Sequence, residues 1–217
     1  MEISCKSRVK KMKIIIPLAA KDTEFKSEFG NIKPLINLGN LKMIEIFLKK
    51  FQFRGEYIFL CTQDDLVNTS LLNVLNKQKI KKKIISIKNN TSSVIETVNY
   101  AEEYINDNES VLICHPDSIN YFNSLTDVKN KLLKTKLDGY IFAFDDECQT
   151  NTIETQTGRV QIKNNKIIKI NEKSIKTEDS LTVAGLYFFK KWIEFKKFSR
   201  LTIENQPPIQ GRYFISQ

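Results

Sequence analysis

Ser110-Val111-Leu112-Ile113-Cys114-His115-Pro116-Asp117-Ser118 decides how the rest of the chain is read. Four apolar residues in a row, Val111 to Cys114, bracketed by polar ones, predict a short strand buried on both faces. Pro116 has no N–H to give to a sheet ladder, so the strand stops there. Asp117 then projects from the strand's carboxyl end, the place where open α/β sheets bind their ligands. A carboxylate so placed is a natural ligand for Mg²⁺, a hard cation that prefers oxygen. A Pro-Asp pair also starts ordinary turns, and that alternative stays open on these residues alone.

Outward from this strand the apolar pattern alternates. A buried strand covers 13–18 and ends near Pro17, and a polar loop is expected over 19–32. Leu41, Ile44, Phe47, Leu48 and Phe51 carry helical spacing. A strand follows over 56–61, a helix over 66–75 and a third strand over 83–87. Ser93 and Glu96 form a capping-box pattern that opens another helix, with Val94, Val98, Ala101 and Ile105 on its buried face. Strands alternating with helices in this way predict a mostly parallel sheet with helices on its faces. Beyond Asp117 the pattern turns antiparallel. Strands are expected over 139–144, 159–163, 166–170 and 182–188, with a turn at Asn164-Asn165, where asparagine tolerates positive φ. A short helix around Trp192 is expected over 190–198.

With 217 residues, 41% of them hydrophobic, the chain can bury a core as one domain. It has no apolar run near ~18 residues and hence no membrane span. The first residues, 1–12, read as a loose basic extension with no signal-peptide core, and Met12 is itself a candidate start. Four cysteines (Cys5, Cys61, Cys114, Cys148) form no C-x-x-C pair and there is one histidine, which argues against zinc. Cys61 and Cys114 end apolar runs, as reduced core thiols of a cytoplasmic protein do. The net charge of +9 is dispersed, and its densest run (Lys77, Lys79, Lys81, Lys82, Lys83) has no aromatic interleaving, so a solvated face is expected rather than a nucleic-acid surface. An anionic small substrate suits such a charge.

The segment from Gly158-Arg159-Val160-Gln161-Ile162 through Ile170-Asn171-Glu172-Lys173 to Thr182-Val183-Ala184-Gly185-Leu186-Tyr187-Phe188-Phe189 resembles the sugar-phosphate nucleotidyltransferases. In that family a Gly opens a strand, a Glu-Lys pair ends the next, and a Gly-(Leu/Ile)-Tyr-x-Phe strand comes after. The resemblance extends over nearly all of 13–217. It implies an α/β, Rossmann-like, GT-A-like nucleotidyltransferase fold with a mostly parallel central sheet and a small antiparallel second half. It also implies a single domain over 13–217, with a nucleotide-binding half at 13–118 and an acceptor-binding half at 119–217. On this likeness Asp117 looks like the metal-binding aspartate for Mg²⁺, and Lys33 in Ile32-Lys33-Pro34-Leu35 looks like the lysine that neutralises the triphosphate. Leu18, Ala19, Ala20, Lys21, Thr91, Ser92 and Ser93 stand where relatives hold the nucleotide, with Thr97 beside them. Gly158, Glu172, Lys173 and Gly185 would surround the acceptor, Lys173 on its phosphate and Glu172 on a hydroxyl. The implied reaction joins an NTP to a phosphorylated sugar or similar small acceptor with release of pyrophosphate, in the service of surface polysaccharide. Catalytic roles fall to Lys33, Asp117 and Lys173.

The chain departs from the family at two places. The loop after the first strand, roughly Ala-Gly-x-Gly-(Ser/Thr)-Arg in relatives, is here Ala19-Ala20-Lys21-Asp22-Thr23-Glu24-Phe25. Ala20 and Asp22 remove backbone freedom near phosphate, and Glu24 puts a carboxylate where an arginine grips. At ~4 Å and an effective dielectric of ~20 that exchange replaces an attraction of about 4 kcal/mol by a repulsion, unless Lys21 or Lys26 moves in. Gly211-Arg212-Tyr213-Phe214-Ile215-Ser216 resembles a family segment that leads to a second metal-binding aspartate, for which Asp145, Asp146 and Glu154 are the substitutes in reach of the sequence. Two other classes therefore stand beside the enzyme: a non-catalytic relative that binds a nucleotide or a partner protein, and a glycosyltransferase of the GT-A type, which the lack of Asp-x-Asp puts third.

Overall fold

The computed structural model describes residues 12–19, 23–118, 125–145, 157–164, 166–174 and 180–217. Of the residues named above, Cys5, Ala20, Lys21, Asp22, Asp146, Cys148, Glu154 and Asn165 lie outside this set.

The expected alternation is present. Strand β1 (Met12–Pro17) is followed by α1 (Thr23–Phe29) and a 3-10 turn at Lys33–Leu35. A small ribbon, β2 (Asn37–Leu38) with β3 (Leu41–Lys42), leads into α2 (Met43–Lys50). Then come β4 (Glu56–Thr62), α3 (Gln63–Asn68), α4 (Leu71–Lys77), β5 (Lys82–Ile87), α5 (Val94–Asn99) and β6 (Ser110–Cys114). The second half comprises α6 (Leu125–Lys134), β7 (Gly139–Phe144), β8 (Thr157–Lys163), β9 (Lys166–Ser174), β10 (Ser180–Phe189) and α7 (Trp192–Asn205).

In the central sheet β5, β4, β1 and β6 lie side by side and parallel, and β10 closes onto β6 antiparallel. Apolar residues one apart on these strands face opposite layers. Ile14, Ile16, Phe59 and Leu112 pack with Ile44, Phe47, Leu71 and Leu75 of α2 and α4. Ile15, Ile58, Leu60 and Ile113 pack with Val98, Trp192 and Phe195 of α5 and α7. Central strands sandwiched this way have no polar face, which is why they read as unbroken apolar runs. Cys61 and Cys114 are buried free thiols of these strands, and burial pushes both pKa values up.

Three local expectations are corrected. The polar loop over 19–32 contains α1, where the rings of Phe25 and Phe29, four apart, meet in a tilted contact at 4.4 Å. The single helix over 66–75 is two. Thr69 turns to extended backbone, its hydroxyl bonding Asp65 O and receiving Leu71 N–H, so a side chain competes with the helical ladder and breaks it. The helix expected over 190–198 continues to Asn205. The capping box at α5 is half as read: Ser93 Oγ accepts the Glu96 N–H, but the Glu96 carboxylate takes its two bonds from Ser92 N and Oγ.

The lysine run lies on an exposed face, Lys77, Lys79, Lys81 and Lys83 being solvent-accessible, and three of its members have partners within the fold. Lys81 pairs with Glu56 at 2.9 Å, Lys82 donates to the carbonyls of Asn76 and Gln78, and Lys83 lies 4.0 Å over the Tyr104 ring. Among the described residues no helix is long and apolar enough to cross a membrane.

Candidate functional site

From β1 the chain builds outward to β4 and β5, then crosses back to place β6 on β1's other side. The direction of winding reverses between β1 and β6, and it is outside the carboxyl ends of strands at such a reversal that open α/β sheets form their ligand crevice. Ile15 is registered with Ile113, so Leu18-Ala19 and His115–Asp117 flank the same crevice. Leu18 N–H bonds Leu60 O at 2.8 Å, continuing β1 by one residue. Buried Ala19 turns its carbonyl to Thr91, receiving the N–H at 3.0 Å and the hydroxyl at 3.2 Å. The Thr91 and Thr97 hydroxyls bond each other, and Ser93 caps α5. Thus Leu18, Ala19, Thr91, Ser92 and Ser93 meet at one corner, where most of their polar groups brace the loop. Ala20, Lys21 and Asp22 lie outside the described residues, as does the Glu24 side chain. Lys26 does not take their place: its ammonium stands 3.4 Å from Asp64 and 3.8 Å from Asp65.

Lys33 and Asp117, 84 residues apart in sequence, are in contact, Nζ to Oδ2 at 2.6 Å. Buried Pro34 and Leu35 anchor the 3-10 turn and aim Lys33 back across the crevice. Both side chains remain 39% exposed, so a ligand can reach them and the pair adds little to stability. Burial alone would push the Asp117 carboxyl up; the Lys33 ammonium, by charge and hydrogen bond, with His115 helping, more than offsets this and holds it below the usual carboxylate range. His115 lies beneath, its N–H on Gly185 O at 2.9 Å and its ring 5.8 Å from Tyr187. Its Nε2 is buried with no hydrogen-bond partner, and burial, then the nearby Lys33 charge, lowers its pKa against the opposing pull of Asp117. The imidazole is therefore neutral.

The acceptor-side candidates converge on a split in the sheet. Leu186–Phe189 of β10 pair with β6, whereas Ser180–Thr182 pair with β8 along the same edge; β7 runs down the other. Between β6 and β8 that edge has no strand among the described residues, and Gly185 sits there at φ +66°. A Cβ on Gly185 would stand 3.0 Å from Ser118 Oγ and 3.1 Å from His115 Cβ, so glycine is required for conformation and for space. Gly158 lies against Val183, two residues along β10, which puts the two sides of the opening roughly 7 Å apart along the strand.

Across the hairpin, Arg159 pairs with Asn171 and Thr157 with Ser174, so β9 carries a bulge at Glu172-Lys173, with Lys173 at φ +50°. A bulge re-aims side chains. Here it turns the Glu172 carboxylate onto Gly158, where a Cβ would meet Oε2 at 2.6 Å. Ser216 Oγ–H donates to the same oxygen at 2.7 Å, and Lys173 Nζ stands 5.7 Å from the centre of the Phe214 ring. Burial raises the Glu172 pKa, with Ser216 and Lys173 acting against it. Asp145 follows the end of β7 and is exposed.

Gly158→Ala is expected to lower stability by about 1–3 kcal/mol, because the new methyl must displace a half-buried, hydrogen-bonded carboxylate. Adding Glu172→Ala should recover part of that loss. Denaturant midpoints of the single and double variants check it, and additive losses would contradict it.

Three residues in this constellation were not singled out as site residues by sequence: His115, Tyr187 and Ser216. The first two were visible as neighbours of Asp117 and Gly185. Ser216 carried no local signal, since its partner is 44 residues away.

The donor set fits Mg²⁺ of one kind. Among the described residues no group of three His, Cys, Asp or Glu could hold an ion unaided. A single reachable carboxylate suits a magnesium ion whose other ligands are water and substrate phosphates.

No family model matches the chain, and no curated protein matches it in sequence. Solved structures do. It is similar to a nucleoside-diphosphate-sugar pyrophosphorylase from Vibrio cholerae RC9, at 18% identity and a TM-score of 0.71, over 94% of this chain and 84% of that one. It is similar to a UDP-glucose pyrophosphorylase complexed with UDP-glucose, at 14% identity and 0.70, over 95% and 84%. An inositol-1-phosphate CTP transferase from T. maritima gives 16% identity and 0.62, over 89% and 74%. At these identities the likeness shows the fold: a mixed α/β, Rossmann-like architecture of the kind sugar-phosphate nucleotidyltransferases have.

Proposed function

We propose that this chain is a cytoplasmic nucleotidyltransferase that joins an NTP to a phosphorylated sugar or similar small acceptor, releasing pyrophosphate for the assembly of surface polysaccharide. The observation that carries it is the Lys33–Asp117 contact at the mouth of the β1/β6 crevice. A cation and an anion from distant segments, both reachable, meet where the fold binds ligands. In the proposed step an acceptor phosphate oxygen forms a bond to the α-phosphorus, and the bond from that phosphorus to the bridging oxygen breaks, so pyrophosphate leaves with the electron pair. A phosphate dianion has no proton to lose, so no general base is needed, and neutral His115 is not asked to be one. What the site must do is hold two polyanions together, by counter-charge and alignment. Lys33 supplies charge to the triphosphate and Lys173 to the acceptor phosphate, while Glu172 receives an acceptor hydroxyl. Mg²⁺, when bound at Asp117, neutralises phosphate charge.

Pyrophosphate release is to be measured with each of the four NTPs, Mg²⁺ and a panel of sugar 1-phosphates. Lys33→Ala is expected to lower kcat/KM by roughly 10²-fold, the scale of losing one preorganised charge contact. Silence of the wild type across the panel would count against an enzyme. A nucleotide-binding protein without catalysis is the second reading, and the same contact favours it, because the ammonium already satisfies the carboxylate. Calorimetry separates the two: nucleotide binding indifferent to Mg²⁺ and to Asp117→Ala belongs to the second.

A further inference from the structure

The last residues of the chain are built into the acceptor half rather than left loose. Ile209 and Arg212 exchange backbone hydrogen bonds at 2.9 and 3.0 Å, forming a turn that sends the chain back. Gln217 closes the end, its side-chain amide donating to Pro207 O at 2.7 Å and its N–H to Phe214 O at 3.1 Å. Ile215 packs against the layer that holds Tyr187 and Trp192. Between these anchors Ser216 is only 3% exposed, so its hydroxyl has one environment. It gives its proton to Glu172 Oε2, so that serine and carboxylate form a two-member relay ending on the oxygen pressed against Gly158.

We infer that Ser216 is a positioning residue for acceptor recognition, fixing Glu172 through Oε2 so that the other carboxylate oxygen is left to take a hydroxyl of the acceptor. This rests on the nucleotidyltransferase reading for the identity of the acceptor, but not for the relay itself. Three features make the fixation specific. Oε2 is filled by one donor at 2.7 Å, a charge-assisted bond. The absence of a Cβ at Gly158 sets how far the carboxylate can come in. The bulge at Glu172-Lys173 turns two successive side chains out of the usual alternation, so carboxylate and ammonium lie beside each other at the opening. An acceptor with a hydroxyl near its phosphate matches that pair.

Two measurements on the full-length chain test it. In the ligand-free protein, carboxyl carbon NMR follows the titration of Glu172, which is also faced by Lys173 and Tyr187. Ser216→Ala is expected to raise the Glu172 pKa above its wild-type value, and Ser216→Thr to return it; an unchanged titration in Ser216→Ala overturns the relay. In the pyrophosphate assay with glucose 1-phosphate as probe acceptor, Ser216→Ala is expected to raise the acceptor KM roughly 10- to 100-fold and leave the NTP KM within about twofold, with Ser216→Thr restoring it. On a Glu172→Gln background the Ser216→Ala effect should shrink. Equal changes in both KM values, or none, overturn the positioning role. A wild type that releases no pyrophosphate with any NTP defeats the enzymatic reading instead, and the NMR titration then decides the relay by itself.

Discussion

Asp117→Asn is expected to cut pyrophosphate release by on the order of 10²- to 10³-fold while the protein stays folded. Asparagine keeps the size of the side chain and removes its charge. What is lost is the anionic oxygen that can face a cation, and with it the counter-ion that holds Lys33 at 2.6 Å. The fold does not depend on the pair: both groups are partly exposed, and exposed ion pairs contribute roughly 0–1 kcal/mol. The small share it does contribute follows from its lowered pKa. It is present above the unfolded-state pKa and lost as pH falls through the folded-state value, so the variant should differ from wild type less in acid than at neutrality. Initial rates with and without Mg²⁺, beside thermal melts, check both parts. A variant that keeps half of the activity removes Asp117 from the chemistry, and one that unfolds assigns it to structure.

Trp192→Ala is expected to cost about 3–5 kcal/mol, a large part of the stability of an ordinary domain. Trp192 is fully buried, stacks on Phe195 at 4.9 Å and fills the layer between α5 and the central strands. Its backbone N–H bonds Glu109 O at 2.8 Å, tying the start of α7 to the loop before β6, so the cavity would open beside the strand that carries Asp117. The indole Nε1 is buried without a partner, a desolvation cost that Trp192→Phe would relieve while leaving most of the volume filled. Urea denaturation followed by far-ultraviolet circular dichroism should therefore rank wild type near Trp192→Phe and well above Trp192→Ala. Equal losses in the two variants would mean that the volume of the side chain is not what matters.

The parallel half was legible because its strands have helices on both sides. Burial on both faces leaves unbroken apolar runs such as Ile14-Ile15-Ile16 and Val111-Leu112-Ile113. The breaks in helices were less visible: Thr69 interrupts α3 and α4 through a side-chain bond that is local in space but unmarked by proline or glycine. Site residues divide the same way. Gly158, Glu172 and Gly185 were picked out by the family resemblance alone; the bulge at Glu172-Lys173 and the positive φ of Gly185 became visible only in the fold. Pairings across the chain could not be read off. Nothing near Lys33 says that it meets Asp117, and nothing near Ser216 says that it meets Glu172, because both contacts are made by the topology.

That topology gives the opening one mechanical property. Strand β10 runs unbroken from its ladder with β8 to its ladder with β6, so the β8–β9 hairpin and the strand before Asp117 hang from one continuous rod. On that edge no described strand lies beside residues 183–185, and β10 crosses the gap at Gly185, whose carbonyl holds the His115 N–H at 2.9 Å. The two sides of the cleft therefore meet at a single residue of one strand.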